Sequence, residues 1–171
     1  LAFGFTACNE MDTKAKDDAP IIGNHNLKLD SDLMTPEVLW SFGRLSDPQV
    51  SPDGKQIIYG VSYYSVEQNK SNRDLYIVNI DGSGAKQLTK TKGGEYSAVW
   101  RADGQKINFM TYETGEGQMY EMNPDGSGKK QITFVEGGIT GFKYNPDMTK
   151  ILYTKEVVMP NKFEKLFEGL D

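Results

Sequence analysis

Histidine and cysteine each occur once in the 171 residues, as His25 and Cys8. One cysteine excludes an intrachain disulfide and every Cys-x-x-Cys metal or redox motif. One histidine leaves a single conventional general base, and His25 sits between Asn24 and Asn26 in a polar stretch with no nucleophile beside it. A Gly-x-Ser-x-Gly elbow is missing throughout, so no serine nucleophile of that type is carried. No apolar run reaches the roughly 18 residues that would span a bilayer as a helix. Basic excess is lacking too: 24 acidic against 19 basic side chains give a net charge of -5. Phosphate backbones demand the opposite balance, so nucleic acid is not an expected partner.

What is present points to strands and tight turns. The chain holds 18 Gly, 9 Tyr and 8 Phe; aromatics suit a pleated, half-buried surface and Gly supplies positive φ. From Leu45 onward apolar residues alternate with period two, and an internal repeat emerges. Val50-Ser51-Pro52-Asp53-Gly54, Trp100-Arg101-Ala102-Asp103-Gly104 and Tyr144-Asn145-Pro146-Asp147-Met148 align on their Asp. Each precedes an alternating run, placing Ile57 and Tyr59, Ile107 and Phe109, then Ile151 and Tyr153 in register. A second motif, Leu75-Tyr76 through Asp81-Gly82-Ser83-Gly84 to Gln87-Leu88-Thr89, returns 44 residues later from Met119-Tyr120 to Gln131-Ile132-Thr133. The first repeat is longer than the second, and the extra length is assigned to a polar surface loop around Val66 to Asn72.

Each unit reads as four strands. In the middle unit they are Ser97 to Arg101, Lys106 to Tyr112, Gln118 to Asn123 and Lys130 to Phe134, with Asp-Gly pairs expected to form primed hairpin turns. Four strands recurring every 40 to 50 residues indicate β-propeller blades. The expected class is therefore all-β: a partial propeller of about two and a half four-stranded antiparallel blades. Thr35-Pro36-Glu37 supplies an N-cap, an N1 proline and a first-turn acid for one short helix ahead of it.

Three segments result. Residues 1–8 read as the remnant of a signal peptide, with small residues before Cys8 as at a bacterial lipoprotein processing site, although Phe5 stands where Leu is usual. Cys8 is then the lipidated residue, and the protein a periplasmic or outer-membrane lipoprotein. Residues 9–31 read as a flexible tether, and 32–171 as the N-terminal part of a propeller.

The segment Pro48-Gln49-Val50-Ser51-Pro52-Asp53-Gly54-Lys55, with the downstream Asp-Gly and Gln-Leu-Thr, resembles the WD40-like repeat of TolB-type propellers. The lead-in Met34-Thr35-Pro36-Glu37-Val38-Leu39-Trp40 through Arg44-Leu45-Ser46 resembles the propeller opening of prolyl oligopeptidase family serine peptidases, the bacterial dipeptidyl and acylaminoacyl peptidases in particular. That resemblance implies a C-terminal α/β-hydrolase domain of the same protein as partner and a Ser, Asp, His triad on it. It also implies a propeller that acts as scaffold and gate for peptide substrates. None of the triad maps onto these residues, so no catalytic, cofactor or metal residue is assigned and no cofactor is expected. A TolB-like propeller that binds proteins or glycans without catalysis is the alternative. Glu113, Glu116 and Glu121 are weighed as receptors for a peptide amine and assigned to a solvated hairpin loop. Asp81-Gly-Ser-Gly and Asp125-Gly-Ser-Gly are weighed as calcium loops and read as turns, because the ligand spacing of a calcium hand is lacking. Trp100, Met110, Met119 and Met122 are read as packing residues.

Overall fold

The computed structural model describes residues 20–24, 27–29 and 31–157. Cys8 and His25 lie outside the described residues, as does most of the segment read as a tether. One short helix, α1 (Pro36–Ser41), precedes ten strands. Thr35 caps α1, its hydroxyl accepting from the Val38 N–H, with Pro36 in the first turn.

The strands form three antiparallel sheets. The first joins β1 (Arg44–Val50), β2 (Gln56–Ser65), β3 (Lys70–Asn79) and β4 (Lys86–Gln87) in sequential order. The second repeats that order with β5 (Glu95–Trp100), β6 (Ile107–Thr111), β7 (Gln118–Met122) and β8 (Lys130–Gln131). The third pairs β9 (Gly141–Tyr144) with β10 (Ile151–Thr154). These are propeller blades, two of four strands and a third with two described strands.

The blades stack through apolar faces. Ile58, Leu75 and Ile77 of the first blade bury against Ala98, Trp100, Ile107, Phe109, Tyr120 and Met122 of the second. Met110, Met119 and Ile139 then form a second core with Phe142, Tyr144 and Ile151. Full burial of one such side chain stabilises by about 1.5–3 kcal/mol, so these two seams hold the blades together. Within the aligned columns, Ile107 and Phe109 are fully buried and Ile151 packs on the second seam, while Ile57 and Tyr59 are half-buried and Tyr153 is exposed.

Three expectations change in detail. The extra residues of the first repeat do not form a loop: β2 and β3 are each 10 residues long against 5 each for β6 and β7, and only Val66 to Asn69 turn. The extension Ser62-Tyr63-Tyr64-Ser65 is rich in strand formers, and α1 covers it through a Trp40–Tyr64 edge contact at 5.7 Å. The Asp-Gly turns are also not primed. Gly54 and Gly104 have φ of 71° and 67° and donate to the carbonyls of Ser51 and Arg101, while Asp53 and Asp103 keep negative φ. That is a type I turn closed by a left-handed residue. Third, the outer strand stops after two residues. The Thr89 and Thr133 hydroxyls accept the N–H of Leu75 and Met119, each at 2.9 Å, so a side chain replaces the next ladder carbonyl.

Candidate functional site

β5 approaches the first blade, and the Trp100 indole donates to the Gln49 carbonyl of β1 at 3.1 Å. The first strands of neighbouring blades thus converge, as they do around a propeller's central channel. Each carries a bulge at the same repeat position, which breaks the register between Ser46 and Gln49 and between Tyr96 and Val99. Asp47 and Ser97 occupy these bulges with φ of 51° and 53°. A bulge re-aims its side chain away from the sheet, so both project from the converging strands.

Asp47 is held from behind. Arg73 of β3 crosses β2 over Gly60, where a Cβ would lie 2.1 Å from the guanidinium, so only glycine leaves the passage open. Its Nη2 donates to Asp47 Oδ2 at 2.8 Å, and its charged end lies 5.6 Å from the Tyr96 ring centroid. The Arg73 side chain is 9% exposed and Asp47 61%, and Arg73 Nε has no partner. An oriented carboxylate therefore faces outward on a buried cation. Beside it, Tyr96 meets Tyr112 edge-on at 6.2 Å, and both line a cavity of about 420 Å³ with Ser97, Met110 and Thr140. This rim offers a carboxylate, hydroxyls and two aromatic faces to an extended polar ligand. It has no nucleophile and base in contact, and among the described residues there is no histidine.

Behind the rim lies a buried acidic joint between the blades. Glu95 is fully buried and accepts from the Thr89 and Thr91 hydroxyls at 2.5 and 2.6 Å. Asp74, also buried, accepts from the Thr91 N–H and the Asn72 amide. Burial first, and then the neighbouring Glu95, push the Asp74 carboxyl up to about 6; burial likewise raises Glu95. In the second blade Gln118 takes the position of Asp74 and accepts from Thr133 and the Val135 N–H without any charge. Asn72 also donates to the Ile22 carbonyl, and Ile22 is buried, so the stretch Pro20 to Asn24 docks on the first blade.

The other weighed residues do not converge. Glu113 pairs with Lys129 at 2.6 Å and Glu116 is exposed. Glu121 departs from the solvated-loop reading: it is buried on β7 because Arg101 and Lys130 reach it at 3.3 and 3.2 Å. Burial raises its carboxyl, but those bonds outweigh burial and leave it below the usual carboxylate range. Asp81 and Asp125 bond the N–H and hydroxyl of Ser83 and Ser127 within their own turns. Sequence reasoning missed the rim pair because Arg73 and Asp47 have Gly117 and Ser97 at the matching places of the next repeat.

Residues 31–165 match the family model described as TolB beta propeller domain. The chain is 49% identical over 138 residues to Dipeptidyl-peptidase 5 of Porphyromonas gingivalis, covering 81% of the chain and 20% of that protein. Against Dipeptidyl-peptidase 5 of Porphyromonas endodontalis the identity is 39% over 82% of the chain and 20% of the relative. The chain thus spans about a fifth of the length of these relatives. Among solved structures, an acylaminoacyl peptidase of Pyrococcus horikoshii superposes with a TM-score of 0.56 at 21% identity, over 67% of this chain and 17% of that one. The propeller domain of the Trilobed protease from Pyrococcus furiosus gives 0.51 at 22% identity, over 66% and 34%.

Proposed function

Because the chain belongs to the TolB beta propeller domain family, we propose that its blades serve a secreted dipeptidyl or acylaminoacyl serine peptidase as scaffold and substrate gate. The 49% identity to a protein named Dipeptidyl-peptidase 5 is the observation that carries this reading. The partner is an α/β-hydrolase domain of the same protein, which supplies the nucleophilic serine and its base. The blades contribute shape and selection rather than bond breaking. Stacked cores keep the ring stiff, and the converging strands with Asp47, Tyr96 and Tyr112 present polar and aromatic contacts to a peptide on its way through.

A gate acts by size. The test is a ladder of peptides from dipeptidyl anilides to long unfolded polypeptides, hydrolysed by the full-length protein. Rates should fall steeply with length, and equal rates on a long polypeptide would overturn the gate. The second reading, compatible with membership of the TolB beta propeller domain family, is a propeller that binds proteins or glycans without catalysis. Its signature is ligand capture by the full-length protein with no hydrolysis at any peptide length.

A further inference from the structure

We propose that the cleft between α1 and the long β2–β3 hairpin binds the carboxylate of a peptide, with Arg44 as the receptor. The cleft has a volume of about 370 Å³, and its walls include Trp40, Arg44, Tyr64, Asn69, Lys70 and Ser71. The Arg44 guanidinium lies 4.4 Å from the Tyr64 ring centroid and 5.0 Å from that of Trp40. The two rings stand at 60° to each other and hold the guanidinium by cation–π attraction, which takes up no hydrogen-bond acceptor. No ion pair engages Arg44 or Lys70 among the described residues, and no carboxylate lines the cleft.

Arg44 stands apart among the three arginines: Arg73 and Arg101 each hold a carboxylate, whereas Arg44 meets none among the described residues. Lys70 lines the same cleft. A guanidinium held between two aromatic rings matches a carboxylate in two-point geometry through its fork of N–H donors. The Lys70 side chain adds positive charge to the same cleft, and the exposed part of Trp40 accommodates an apolar side chain next to the carboxylate. A peptide with an aromatic residue beside a carboxylate meets all three features.

The site lies apart from the Asp47 rim, and the proposal does not depend on the peptidase reading, because binding is measured without hydrolysis. The chain has two tryptophans; Trp100 is buried in the blade seam whereas Trp40 is 40% exposed in the cleft. Fluorescence is therefore titrated with acetyl-Phe-Ala, its C-terminal amide and acetyl-Phe-Glu amide, and Trp40→Phe identifies the responding residue. Saturable quenching by acetyl-Phe-Ala acid, by acetyl-Phe-Glu amide or by both, about tenfold or more tighter than by acetyl-Phe-Ala amide, is expected. The two acidic probes tell a terminal from a side-chain carboxylate. Arg44→Met should remove that preference while leaving the thermal unfolding transition in place. If Arg44→Met fails to fold, Lys70→Met takes its place, with a smaller loss. Equal affinity for acid and amide, unchanged binding in the folded variant, or no binding by any probe would overturn the proposal.

Discussion

Replacing Asp74 by Asn takes a charge out of the joint between the first two blades. The carboxyl sits at about 6 in the folded protein against an ordinary 3.8, because burial and then Glu95 disfavour its ionised form. Each tenfold change in proton affinity is about 1.4 kcal/mol, so ionising Asp74 at neutral pH costs the folded state about 3 kcal/mol. Its proton is held more tightly in the folded than in the unfolded chain. Stability from this group is therefore complete below pH ~4, declines as pH rises towards ~6, and is absent above. Asn keeps an acceptor for the Thr91 N–H and offers an amide towards Glu95, while the bond from Asn72 is lost at about 1 kcal/mol. The net expectation at pH 8 is a gain of about 2 kcal/mol, shrinking to nothing or a slight loss near pH 4. Gln118 shows that a neutral amide already serves this position in the second blade. Urea unfolding of parent and variant at both pH values measures the difference. A gain that is the same at both, or a loss at pH 8, would refute the assignment of a strained buried acid.

Gly54→Ala should cost about 1 kcal/mol in urea unfolding. A Cβ there meets nothing within 4 Å, so the loss arises from the φ of 71° alone. Thr133→Val leaves the Met119 N–H without its acceptor and removes one of the two donors to Gln118 Oε1, and should lower stability by about 2 kcal/mol; a change under about 0.5 kcal/mol in unfolding would show that the hydroxyl does not end the ladder. For Cys8, the expectation is incorporation of labelled fatty acid by cells expressing the intact precursor, lost in Cys8→Ser. Label retained in the variant's membrane fraction would remove the lipid anchor.

The fold was legible because the blade repeats its instructions. Asp53-Gly54 and Asp103-Gly104 mark the same turn, and Thr89 and Thr133 end the same outer strand through one hydroxyl bond. Turn and strand chemistry is local, so a single sequence displays it. The length of the β2–β3 hairpin was misjudged because polar residues such as Ser62 and Asn72 resemble a loop until cross-strand pairing and α1 are considered. The rim was illegible for a different reason. Arg73 reaches Asp47 by passing over Gly60, a contact between three strands that no spacing along the chain encodes. Asp74 and Glu95 likewise look like surface acids in the sequence, yet the tertiary structure buries both.

That these blades serve a serine peptidase is tested by hydrolysis of a panel of dipeptidyl and acyl-aminoacyl anilides by the full-length protein, with and without a fluorophosphonate that esterifies active serines. Turnover of at least one substrate, abolished by the reagent, with the label on a serine outside the 171 residues described above, is the result expected. No turnover across the panel together with no labelled serine would contradict the claim.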